Sequence, residues 1–367
     1  MRLRYIILPL VLLTLVGCSS TAIPTAPAAP AVTRSYNGTA SVGDFLAITL
    51  NPTVQTIHYT DISNGETGVV PYTVNSDGTY TLNDPEGNLI AAYEVPNYAL
   101  LIQAAKTGPT EDAPALITAV ESGQISAATF EGNAYNYMQF RTTAGGVSVG
   151  SVSISAQGVA NTSSYWPYGA LNQSGTFNAS TFNVAQAQED SSGTFLKMSD
   201  NGAYDYVFGT ANGIFAVDAP SGAILGLLKA ASKNFDPSFA GTYKAIYYQK
   251  TGASTGVGNV ETGTPSLDNA VLTVASNGQV TIKDTQGNMI VQATLTPVAD
   301  ASYLYGSNGE LQDPCWGVFT FRVTTASSQQ DVFVTFMGNA LLFSSFQANL
   351  PWSAGGTYNY FYGVGLK

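Results

Sequence analysis

The stretch Val74-Asn-Ser-Asp-Gly-Thr-Tyr-Thr-Leu-Asn-Asp-Pro-Glu-Gly-Asn-Leu-Ile-Ala-Ala92 recurs without gaps as Val274-Ala-Ser-Asn-Gly-Gln-Val-Thr-Ile-Lys-Asp-Thr-Gln-Gly-Asn-Met-Ile-Val-Gln292, 200 residues further on. Gly78 matches Gly278, Thr81 matches Thr281, and the turn Asp84-x-x-Gly87-Asn88 matches Asp284-x-x-Gly287-Asn288. Each copy alternates apolar and polar residues and is broken by turn formers, so each reads as strand, Asp-x-x-Gly-Asn turn, strand. Around the two copies, Gly38-Thr39 pairs with Gly241-Thr242, and Phe140-Arg141-Thr142-Thr143 pairs with Phe321-Arg322-Val323-Thr324. A weaker third echo runs from Gly175 to Gly213. The spacing is too long for a solenoid or a propeller and predicts two tandem antiparallel β domains, barrel or sandwich.

The rest of the chain agrees with a mainly β fold. Short alternating runs are separated by Gly, Asn, Asp and Pro. Val147, Val149, Val152 and Ile154 mark one such strand; Val332, Val334 and Phe336 mark another. At the C-terminus Tyr358, Tyr360, Tyr362, Val364 and Leu366 fall on one face of a strand that would complete a sheet. Helical spacing is rare. It predicts short helices over Asp112 to Glu121, with Pro114 early and Leu116, Ile117 and Val120 on one face, and over Ala223 to Lys233. The domains are expected at residues 36–234 and 235–367, joined near Asn234-Phe-Asp-Pro237.

Residues 1–17 form a different kind of segment. Arg2 and Arg4 precede an apolar run from Tyr5 to Val16, which ends in Leu15-Val16-Gly17-Cys18. The run is too short for the roughly 20 apolar residues of a membrane-spanning helix, and Pro9 interrupts it. The ending resembles the lipobox of bacterial lipoproteins. That resemblance implies cleavage before Cys18, attachment of diacylglycerol to its sulfur, usually a further palmitate-type acyl chain on the new amino terminus, and a membrane mooring in the cell envelope. Ser19 in place of Asp resembles an outer-membrane address. Residues 18–35, with Pro24, Pro27 and Pro30 among alanines and small polar residues, have too little apolar surface to order themselves and read as a disordered tether.

Charge and chemistry narrow the function. The chain carries 13 basic and 24 acidic residues, and cleavage would remove two of the basic ones. Nucleic acid is therefore not an expected partner. Of the two cysteines, lipidation takes Cys18 and leaves Cys315 without an intrachain partner, so Cys315 reads as a buried thiol. The single histidine, His58, shares a strand face with Thr56 and Thr60 and reads as solvent-facing. Gly-x-Ser-x-Gly occurs at Gly146 to Gly150 and at Gly252 to Gly256, but the nucleophile elbow needs a helix after the serine and a histidine downstream of it. No spacing singles out a pair of carboxylates. The acidic turn at Asp84 and Glu86 could suit calcium, yet its second copy replaces Glu86 by Gln286 and Asn83 by Lys283; what the copies share is turn geometry. No catalytic residue, metal site or cofactor is expected.

Aromatic side chains are the remaining surface chemistry. Tyr165, Trp166 and Tyr168 lie in a turn-rich stretch and are the candidate ligand-binding residues, able to stack on sugar rings or to anchor a protein partner. The second domain opens on Phe239-Ala-Gly-Thr-Tyr243, which faintly resembles lipocalin-type barrels, although lipocalins carry a tryptophan where Tyr243 stands. That resemblance implies a small apolar ligand held inside a barrel. The expected function is a lipid-anchored, non-enzymatic binding or structural module of the envelope, with an envelope glycan or protein as partner.

Overall fold

The computed structural model describes residues 32–83, 89–104, 114–140, 147–167, 180–200, 203–211, 213–220, 222–256, 259–260, 264–300, 316–324, 328–349 and 357–367. Three antiparallel sheets follow one another along the chain. The first is a closed barrel of β1 (Arg34–Ala40), β2 (Phe45–Asn51), β3 (Thr56–Asp61), β4 (Glu66–Val74), β5 (Thr79–Asn83), β6 (Leu89–Val95), β7 (Ala99–Ala104) and β8 (Ala115–Glu121). The second holds β9 (Ala134–Phe140), β10 (Val147–Ile154), β11 (Val159–Pro167), β12 (Ser180–Asn183), β13 (Gln188–Glu189), β14 (Leu196–Asp200), β15 (Ala203–Thr210), β16 (Ile214–Ala219) and β17 (Gly222–Leu228). The third holds β18 (Gly241–Gly256), β19 (Asn259–Val260), β20 (Thr264–Val274), β21 (Gln279–Asp284), β22 (Met289–Thr294), β23 (Thr296–Pro297), β24 (Val318–Thr324), β25 (Ser328–Met337), β26 (Ala340–Asn349) and β27 (Thr357–Leu366).

All three are meanders whose first and last strands pair. In the barrel β1 pairs with β8, and the ring also closes between β4 and β5. In the second sheet β9 pairs with β17, and in the third β18 pairs with β27. Leaving β19 aside, these two sheets have the same strand order, with free edges at the fourth and fifth strands: β12 and β13 in one, β22 and β23 in the other. The fold is thus tandem antiparallel β, and the span 36–234 holds two of its sheets.

The quoted repeat is a structural one. Tyr72, Thr73 and Val74 face Leu82, Thr81 and Tyr80, while Leu272, Thr273 and Val274 face Ile282, Thr281 and Val280. In both hairpins the glycine amide donates back to position 75 or 275, at 3.0 and 2.9 Å, and the glycine adopts a left-handed φ of 80° or 79°. A third copy of the turn joins β10 to β11, where Gly158 (φ 74°) donates to the Ser155 carbonyl at 2.9 Å. Sequence reading misses it because Ser155-Ala-Gln-Gly158 shares little with the others beyond the glycine. The surrounding spacing is folded differently: residues 34–74 make four short barrel strands, whereas residues 241–274 make chiefly the long strands β18 and β20.

Both expected helices are strands. Ala115–Glu121 is β8 and Gly222–Leu228 is β17; residues 112 and 113 lie outside the described set. The cause is burial on both faces. In β8, Ala115 and Ala119 point into the barrel while Leu116 and Val120 point out into a second core. A strand apolar on both sides loses its period of two and imitates a buried helix.

Among the described residues three hydrophobic clusters result. One fills the barrel with Tyr36, Leu46, Ile48, Leu50, Tyr72 and Leu100 among others, so the interior of this barrel is packed with side chains. Another lines the inner face of the third sheet, with Phe319, Phe321, Phe336 and Phe343. The largest lies between the sheets. It takes Phe45, Leu101, Leu116 and Val120 from the outer face of the barrel, nearly all of the second sheet, and Tyr248, Phe333, Tyr360 and Tyr362 from the outer face of the third. Residues 32–367 accordingly form one compact unit. The C-terminal alternation is borne out, with Tyr360, Tyr362, Val364 and Leu366 all buried on this face.

Candidate functional site

Buried carboxylates are the first place to look for chemistry, because a charge in an apolar interior must be paired, neutralised or used. Glu94, on β6, has a fully buried side chain. Its Oε1 accepts from Arg34 Nε at 2.5 Å and from the Tyr36 hydroxyl, and its Oε2 accepts from Arg34 Nη2 at 2.7 Å and from the Tyr80 hydroxyl at 2.6 Å. Hydrogen bonding to Glu94 raises Arg34 above its already high pKa, and burial followed by the same carboxylate pushes Tyr36 and Tyr80 up, so all the donors stay protonated. Four donors occupy the four acceptor positions of a carboxylate. Glu94 thus has no position left for a substrate proton, and the cluster is a clamp on β1 where the chain enters the barrel.

Asp218, on β16, is the opposite case. It accepts from the Thr39 hydroxyl of β1, and both side chains are buried. Burial drives its pKa well above the usual carboxylate range; Thr39 opposes this, and Asp44, Asp61 and Asp205 reinforce it. The group sits where the barrel meets the second sheet, beside the turn at Gly43, in which an added Cβ would lie 2.5 Å from the Ala219 carbonyl. Among the described residues no three His, Cys, Asp or Glu side chains are placed to hold a metal ion.

One cavity that combines polar residues from two sheets is a cleft of about 140 Å³ between the barrel and the third sheet. The first copy of the repeat supplies one wall. Asp77 and Thr79, in and just after its turn, and Tyr93 on β6 face Lys244 on β18 and Asn269 on β20. Lys244 Nζ donates to the Asp77 carbonyl, lies 3.4 Å from its carboxylate and stands 5.1 Å from the centre of the Tyr93 ring. Asp77 is held below the usual carboxylate range, first by the Thr79 hydroxyl and amide at 2.6 and 3.0 Å, then by Lys244. Tyr93 is pushed up by burial and by Asp77. The arrangement brings hydrogen-bond donors and acceptors of two sheets to one cleft.

The residues singled out by sequence fall elsewhere. Cys18, Tyr168 and Cys315 lie outside the described residues, as do Asp84, Glu86 and Asn88. The backbone of Tyr165 and Trp166 lies near the end of β11, and their side chains are outside the described set. His58 is exposed on β3 between half-buried or buried neighbours, as alternation predicts. Ser148 and Ser254 sit within β10 and β18, not at a strand-to-helix turn. In the second copy of the acidic turn, Asp284 accepts from Gln286 N, Asn288 N and Asn288 Nδ2 at 2.8–3.0 Å, which makes it a turn brace. The cleft was missed because its walls come from segments more than 150 residues apart; the repeat touches both walls, at Asp77 and at Thr285, but nothing in the sequence shows that they meet.

No family model matches the chain, and no curated protein does. Two crystal structures of the vaccine antigen Transferrin Binding Protein B from Haemophilus parasuis Hp5 superpose on it. A double mutant does so at 8% identity and TM-score 0.27, over 92% of this chain and 77% of that one. A single mutant does so at 6% identity and TM-score 0.23, over 92% and 76%. At these scores neither superposition assigns a residue role or a partner.

Proposed function

We propose that the protein is a lipoprotein of the cell envelope, moored through Cys18 and held off the membrane by residues 19–33, ahead of β1, whose β body is a non-enzymatic binding or structural module. The observation that carries this reading is the sequence Leu15-Val16-Gly17-Cys18 at the end of a basic and then apolar leader. Each buried methylene of an acyl chain contributes about 0.8 kcal/mol, so two or three chains give stable attachment where one gives only reversible binding. The saturated Glu94 and the two serines that lie within strands support a body without catalysis. Ser19 favours the outer membrane.

Metabolic labelling with a clickable palmitate analogue in a bacterial host tests the mooring. The natural sequence is expected to take the label and to fractionate with outer membranes; Cys18→Ser is expected to lose both. Labelling of Cys18→Ser at the normal level would sink the reading. A second reading, recognition of an envelope glycan through Tyr165, Trp166 and Tyr168, is favoured by that aromatic run alone. It requires array binding that Trp166→Ala abolishes.

A further inference from the structure

We propose that the cleft between the barrel and the third sheet is a subsite for one uncharged sugar ring. The inference rests on the reading of the body as a binding module and gives it a ligand class. Three properties of the cleft define that class. Its apolar floor comes from residues that alternate away from the barrel and sheet interiors, Ala91 of β6 with Ile246 of β18 and Val271 of β20. The C–H face of a pyranose can press on such a floor, and the volume of about 140 Å³ is on the scale of one ring. Polar residues line both walls: Asp77 on one and Asn269 and Thr285 on the other, while the Thr79 hydroxyl is already engaged, donating to Asp77 and accepting from Asn75. This mixture of acceptors and donors matches hydroxyl groups, each of which both gives and takes a hydrogen bond.

Charge decides against the other small ligands. The Lys244 ammonium is already compensated by Asp77, through its carbonyl and through its carboxylate at 3.4 Å, so the site is electrically balanced. An anion would have to displace Asp77 within a chain of formal charge −11, and a cation would have to displace Lys244. A neutral polyol displaces neither. The Lys244 contact with the Tyr93 ring, at 5.1 Å, holds that ring in the wall beside the opening.

The test uses the full lipidated chain in detergent micelles, titrated by calorimetry and saturation-transfer NMR. The probes are glucose, galactose, mannose and N-acetylglucosamine, with glucuronate and glucosamine as their charged counterparts. At least one neutral sugar is expected to bind at millimolar affinity or better, and both charged probes about tenfold more weakly. Ala91→Leu, which fills the floor, and Asn269→Ala, which removes one polar group, should each weaken binding about tenfold or more with thermal unfolding unchanged. The proposal is overturned if no neutral sugar binds, if the charged probes bind equally well, or if binding survives both substitutions. Binding lost only in Trp166→Ala would also overturn it, by moving the site to β11. Palmitate labelling of Cys18 is read separately, so failure of this subsite leaves the mooring intact.

Discussion

Glu94 and Asp218 are both buried carboxylates, and the fold treats them in opposite ways. Glu94 is matched to Arg34 and two phenols, and breaking such a pair from one side leaves an uncompensated charge, at a cost of about 3–5 kcal/mol. Glu94→Ala should therefore lower stability by that amount in urea titration, whereas Tyr36→Phe, which removes one of four donors, should cost only about 1 kcal/mol. Among the described residues, Asp218 meets the Thr39 hydroxyl and like charges. Its folded-state pKa is raised, so between the unfolded value near 3.9 and the higher folded value the folded chain holds a proton that the unfolded chain releases. Stability from this group is fully present below about pH 4 and is lost as pH rises through the folded pKa. Asp218→Asn removes the ionisable group and should stabilise the protein at pH 7 by on the order of 1–2 kcal/mol, with a smaller gain at pH 4. Equal effects at both pH values would show that Asp218 is not held neutral. Neither role was legible in the sequence, since the partners of both residues lie far away along the chain.

At the scale of elements, the hairpin turn was legible and the strands buried on both faces were not. Turn chemistry is local: a glycine with positive φ, flanked by alternating residues, announces itself within five positions. Gly78 has open space where a Cβ would stand, and at Gly278 the nearest atom, in Phe235, would be 3.7 Å away. Substitution at either position thus meets backbone strain and little else. Gly78→Ala and Gly278→Ala are each expected to cost about 1–2 kcal/mol in chemical denaturation, with Asn in place of Ala costing less. A much larger loss at position 278 alone would mean that the two copies are not equivalent. The strands β8 and β17 show the other limit. Each is covered on both sides, and a run apolar on both faces carries no periodicity to tell strand from helix; only the partners in space decide it.

For the whole molecule, the question is whether three sheets behave as one. Phe45 projects from the outer face of the barrel and stacks on Tyr206 of the second sheet at 4.7 Å and 9°, with Phe195 and Phe208 at 4.8 and 5.2 Å. Phe140 of the second sheet stacks on Tyr362 of the third at 4.5 Å and 10°. Single side-chain bonds add ties: Asn37 donates to the Thr194 carbonyl at 2.7 Å, Tyr98 to the Met337 carbonyl at 3.0 Å, and Asn136 to the Trp316 carbonyl at 2.7 Å. The repeat legible in the sequence marks two like hairpins; the residues that join the sheets follow no repeat. With the largest apolar cluster shared among all three sheets, none can unfold without exposing its neighbours. Residues 32–367 should therefore lose secondary structure and tyrosine fluorescence in one coincident transition. Phe45→Ala removes the aromatic centre of the junction between the barrel and the second sheet, at a cost of about 3–5 kcal/mol if the site does not collapse. Because that cost falls on the contact between sheets and not on the filled barrel interior, the same substitution should separate the transition in two. Two transitions already present before the change would show that the sheets are independent, and one transition merely shifted to lower urea after it would show that the remaining junctions suffice to couple them.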